Sequence, residues 1–124
     1  VLFLAVGGGL GLAGLPLPQV EGVIALSVLA LGLAIALRAS LSMAVAMAVV
    51  AAFALFHGHA HGQEIPSLAA PWAYVLGFMT ASAALHLTGV GLGLLWRRPQ
   101  TRALLGAGTA GIGLHMVLLS YGLV

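Results

Sequence analysis

The apolar residues of this chain come in long unbroken runs of Ala, Leu, Val and Gly, and do not alternate with polar ones. That pattern constrains the fold more than any other feature. A membrane β-barrel alternates apolar and polar positions along each strand. Continuous runs read as spanning helices, which satisfy their own backbone hydrogen bonds in lipid. Composition excludes the soluble alternative. Hydrophobic residues make up 62% of the 124 positions and charged residues 5%, whereas soluble domains carry roughly 25% charged residues. A globule of this length has too little interior to hide so much apolar surface. The expected fold is all-α, a polytopic transmembrane helix bundle forming a single domain over residues 1–124.

A spanning helix needs about 20 largely apolar residues, and five candidates meet or approach that length. They cover residues 1–15, 20–37, 40–62, 71–96 and 103–124. Pro16 and Pro18 end the first, and Arg38 stops the second. The first run looks truncated, because the chain opens at Val1 already inside apolar sequence. Arg38 separates the second and third runs, while Arg97, Arg98 and Arg102 separate the fourth and fifth. The turns at Pro16–Gln19 and Gln63–Ala70 hold no Arg or Lys. The positive-inside rule then puts the arginine turns in the cytoplasm of a multi-pass membrane protein. Trp72, Tyr74 and Trp96 stand near run ends, where interfacial aromatics sit.

The net charge of +2 comes from four Arg and two Glu. Four basic residues are too few for a phosphate-tracking surface, so nucleic acid is not an expected partner. The absence of cysteine excludes a disulfide scaffold and thiolate metal sites. The 18 glycines fall on helical stripes: Gly7, Gly11 and Gly14; Gly89 and Gly93; and Gly108, Gly111 and Gly122. Small residues of this kind let membrane helices approach closely. Such stripes serve contacts within a chain or between copies, which leaves a homo-oligomer open.

The polar stretch Phe56-His57-Gly58-His59-Ala60-His61-Gly62-Gln63-Glu64 holds three of the five histidines and one of the two glutamates. At 100° per residue, His61 lies about 40° from His57, and Glu64 about 20° away on the other side. These three share a helix face, and His59 points about 200° away from it. An i, i+4 histidine pair can grip one metal ion. Imidazole with carboxylate suits Ni²⁺, Co²⁺ or Zn²⁺. The bland alternative is a set of solvated polar groups at a membrane edge. Glu21 opens the second run on the same outer side. It reads either as a carboxylate favoured by the helix dipole or as a group that attracts a cation. His86 falls on a face with Ser82, Gly89 and Gly93, so it is expected to look into the bundle. It lies about 21 Å from the outer end of its helix, against about 10 Å for His57. It reads either as a later station on a metal path or as an interior hydrogen-bonding residue. His115 is expected to bond between helices.

The stretch resembles the HupE/UreJ family of nickel and cobalt permeases, whose pattern is Phe-His-Gly-x-Ala-His-Gly-x-Glu. Phe56, His57, Gly58, Ala60, His61, Gly62 and Glu64 match it. Gly14-Leu15-Pro16-Leu17-Pro18-Gln19-Val20-Glu21, Ile24-Ala25-Leu26-Ser27-Val28 and Leu85-His86-Leu87-Thr88-Gly89 also look like the family. The resemblance implies a small protein of about six spanning helices. A first-helix motif, His-Pro-x-x-Gly-x-Asp-His, would fall ahead of Val1. It also implies transport of nickel or cobalt as cargo, with no permanently bound cofactor and no enzyme activity. The candidate metal residues are His57, His61 and Glu64, then His59, Glu21 and His86. A membrane metal sensor that does not transport would use the same ligands. An electron carrier binding haem through His86 and His115 is a weaker alternative. A zinc hydrolase is weaker still, because no Glu follows the first histidine of the stretch.

Overall fold

A computed structural model of the chain describes residues 1–65, 70–95 and 98–124. Five helices follow one another: α1 (Leu2–Leu12), α2 (Val20–Ala36), α3 (Met43–Gln63), α4 (Pro71–Leu95) and α5 (Pro99–Ser120). No strand occurs among the described residues. The helices α3, α4 and α5 are long and apolar enough to cross a membrane. The shorter apolar helices α1 and α2 have 11 and 17 residues, about 16 and 25 Å at 1.5 Å per residue. Leu37, Met43, Leu87 and Leu95 stand 74–83% exposed. Leaving such side chains in water forfeits about 1.5–3 kcal/mol each, so this surface belongs in lipid. The chain is a helical membrane protein.

Local chemistry explains the helix ends. Ser42 caps α3 by accepting from the Val45 N–H at 3.4 Å. This starts the helix at Met43, where the apolar run alone suggested residue 40. α5 starts at Pro99, four residues ahead of the expected 103. Proline at the first helical position brings a preset φ and lacks only an N–H that would be unpaired there anyway. Arg102 therefore sits in the first turn of α5, and Arg98 is its N-cap. The expectations for Trp96 and Arg97 fall outside the described residues.

Three helices end in one motif, in which a residue of positive φ follows the cap and two backward N–H bonds close the last turn. Gly14 (φ 69) ends α1, with Leu15 N–H to Leu10 O at 3.1 Å. Gly122 (φ 64) ends α5, with Leu123 N–H to Leu118 O at 2.8 Å. Arg38 (φ 53) takes the same place after α2, with Ala39 N–H to Ala34 O at 2.9 Å. Gly14 is thus a helix terminator and not the third member of a packing stripe.

Two tight helix pairs organise the bundle, α1 with α3 and α2 with α5, and α2 touches α3 more lightly. Glycine permits both close approaches. A Cβ on Gly7 or Gly11 would strike the backbone carbonyl of Leu55 or His59, and one on Gly58 or Gly62 would strike that of Leu4 or Gly8. In the second pair, Gly106, Ala110 and Gly113 of α5 meet Ala36, Gly32 and Leu29 of α2. The expected stripes elsewhere do not pack. Gly89, Gly93, Gly108 and Gly111 have open space where a Cβ would stand. α4 has no buried residue at all.

Candidate metal-handling site

Helix α3 runs unbroken through the histidine stretch to Gln63. Glycine in a helix interior costs about 1 kcal/mol relative to alanine. The backbone contacts of Gly58 and Gly62 with α1 offset that cost and hold the last two turns rigid. His57 and His61 therefore project one turn apart from the same face. Their ring centroids are 4.9 Å apart and the rings meet edge to face at 65°. Glu64 caps the helix, and its Oε2 lies 3.9 Å from His61 Nδ1. The shared face expected for these three residues is present.

The ring of His61 is held from a second direction. Its Nδ1 is 3.1 Å from the Tyr74 hydroxyl, and its centroid is 4.4 Å from that of Phe78. Tyr74 and Phe78 are one turn apart on α4, with their rings stacked at 6.3 Å. A carboxylate beside Nδ1 favours the proton on that nitrogen, which then donates to the Tyr74 hydroxyl oxygen. Nε2 keeps its lone pair in that tautomer. This is how outer partners prepare a ligating imidazole. Sequence reasoning took Tyr74 for an interfacial aromatic and passed over Phe78. Their i, i+4 spacing near the start of α4 was the available signal.

The two glutamates of the chain meet at this end of the bundle. Both line a cavity of about 450 Å³ together with Leu17, Gln19, Ala60 and Gln63. Glu21 stands in the first turn of α2, where the helix dipole favours a carboxylate. On another side of α3, His61 lines a cavity of about 260 Å³ with Trp72, Tyr74 and Phe78. Glu64 lines the first cavity and His61 the second, and their side chains lie 3.9 Å apart.

His59 has a different place. It is fully buried, and its Nε2 is 2.6 Å from the carbonyl oxygen of Leu15. A carbonyl only accepts, so Nε2–H donates and Nδ1 carries the lone pair. That Nδ1 is buried with no hydrogen-bond partner among the described residues. His59 ties α3 to the segment that follows α1, away from the His57–His61 face as the helical geometry predicts.

His86 does not look into the bundle. It is exposed, and its Nδ1–H bonds back to the Ser82 carbonyl at 2.7 Å on its own helix. Thr80 and Thr88 bond back along α4 in the same way. Because α4 buries no residue, its polar groups find partners within the helix. His115 is also exposed, with no side-chain hydrogen bond among the described residues, so the expected interhelical bond is absent there. Among the described residues, no group of three or more His, Cys, Asp or Glu side chains is arranged to enclose a metal ion.

Comparison with known proteins gives the lineage. The pattern of the family described as HupE / UreJ protein matches residues 1–116. Protein HupE of Rhizobium leguminosarum bv. viciae is 46% identical over 95 residues, which cover 77% of this chain and 50% of that protein. The chain therefore spans about half the length of this curated relative. No solved structure matches. With the family pattern covering nearly its whole length, the chain belongs to the HupE/UreJ family.

Proposed function

We propose that the chain belongs to a permease for a divalent transition metal, nickel or cobalt first and zinc as a further fit to the same ligands. The metal is cargo and serves the maturation of metalloenzymes such as hydrogenase or urease. The observation that carries this reading is the His57–His61 pair, with Tyr74 and Glu64 behind His61 and a cavity lined by both glutamates beside it. Glu21 and Glu64 raise the local concentration of cations at the mouth. His57 and the Nε2 of His61 replace part of the hydration shell of the metal. Two imidazoles and a carboxylate without thiolate bind reversibly, as a transport step requires. His59 holds α3 in place, and His86 lies off this path. The membrane is the bacterial inner membrane, with the arginine end in the cytoplasm.

The test is uptake of radioactive Ni²⁺ by proteoliposomes of the full-length protein. Saturable, competable uptake supports the permease. Saturable binding without uptake defeats it and leaves a metal-binding or sensing protein.

A further inference from the structure

The cavity that holds both glutamates is built from two short pieces of chain. The end of α3 supplies Ala60, Gln63 and Glu64, and the lead into α2 supplies Leu17, Gln19, Val20 and Glu21. His59 joins the two pieces without lining the cavity itself. It precedes Ala60 on α3, and its Nε2–H donates to the Leu15 carbonyl at 2.6 Å. That bond is not needed to end α1. The Gly14 N–H to Gly11 and Leu15 N–H to Leu10 bonds already close that helix, and the Leu15 carbonyl lies beyond them.

Leu15 is therefore held through both its N–H and its carbonyl. Pro16 and Pro18 follow, each with φ locked by its ring. Gln19 then takes φ 53 at the N-cap of α2, a left-handed backbone position that a side chain disfavours. Such a conformation persists only where its surroundings hold it. The anchored, proline-stiffened lead carries that constraint from His59 to Gln19, and so to Glu21 in the first turn of α2. The imidazole also bears a cost in this place. Its Nδ1 is buried with no hydrogen-bond partner among the described residues, and an unsatisfied buried acceptor is unfavourable. An aliphatic side chain would fill the same space without that cost, so the bond to Leu15 is what the histidine contributes. We propose that His59 is a positioning residue for Glu21, fixing that carboxylate across the cavity from Glu64. The proposal rests on the reading of this cavity as the entrance for a divalent metal.

The test measures Ni²⁺ binding by calorimetry on the full-length protein in detergent, and initial-rate uptake by proteoliposomes. His59→Leu removes the bond and keeps the bulk. It should weaken Ni²⁺ about 10-fold, the lower end of what loss of an outer partner costs a metal site. It should also raise the KM for uptake more than it lowers the maximal rate. His59→Gln returns an N–H at the reach of Nε2 and should restore most of the affinity. Glu21→Gln should weaken binding too, and adding His59→Leu to it should cost little more, because residues that act through one group are not additive. Should His59→Leu fail to fold, Pro16→Gly/Pro18→Gly keeps the imidazole, loosens the same segment and should weaken Ni²⁺ in the same non-additive way. Three results would overturn the proposal: wild-type affinity in a folded His59→Leu protein, losses that multiply in the double variant, or no rescue by a folded His59→Gln protein. Because binding is read separately, an absence of uptake would defeat the permease and leave the His59 result intact.

Discussion

The Tyr74 hydroxyl and the Phe78 ring orient His61, whereas His57 is exposed and makes a ring contact with His61. Tyr74→Phe removes the hydroxyl and keeps the ring stacked on Phe78. Loss of an outer partner to a ligating histidine weakens metal affinity about 10- to 100-fold. The expected result is a raised KM for Ni²⁺ uptake with an unchanged thermal transition. Protons compete with a metal ion for imidazole ligands, so acidification should lower uptake at subsaturating metal. Uptake should recover when the metal concentration is raised. The shared face of His57, His61 and Glu64 was legible in the sequence, because it depends only on helical angle. The Tyr74 contact, 13 residues away, and the His59 bond to Leu15, 44 residues away, were not. Both depend on which helices become neighbours, and local spacing does not encode that.

Glycines that look alike in the sequence differ sharply once the helices pair. Gly58→Ala would drive a Cβ into the Leu4 carbonyl and force α1 away from α3. Overpacking of this kind costs about 1–3 kcal/mol, and any compensating shift of α3 moves His57 and His61. Gly108→Ala meets open space and should be neutral or slightly stabilising, since alanine is the better helix former. Thermal unfolding in detergent should separate the two variants. The existence and order of the five helices followed from apolar run length. Which glycine stripe packs did not, because a helix as glycine-rich as α5 presents several small-residue faces. The choice of Gly106, Ala110 and Gly113 over Gly108 and Gly111 is made by α2. His86 was placed wrongly for the same reason. Its face carries the residues of an interior stripe, yet α4 buries nothing.

At the scale of the whole molecule, charge separates to opposite ends of the bundle. Glu21 and Glu64 line one cavity, while Arg38 and Arg102 line another. The sequence already held this polarity in its turns, and the two cavities give it a three-dimensional form. The chain has no cysteine, so single cysteines report its orientation on a clean background. A cysteine at Gln63 should react with a membrane-impermeant maleimide added outside intact cells, and one at Ser40 only after permeabilisation. The reverse pattern would invert the bundle and place the glutamate mouth in the cytoplasm. The central claim is that the His57–His61 face passes a divalent metal across the membrane. The most direct measurement is initial-rate Ni²⁺ uptake by proteoliposomes of the full-length protein carrying His57→Ala, His61→Ala or both. The account predicts loss of most uptake in each single variant and little further loss in the double, with the protein still folded in the bilayer. Wild-type uptake in the double variant would contradict it.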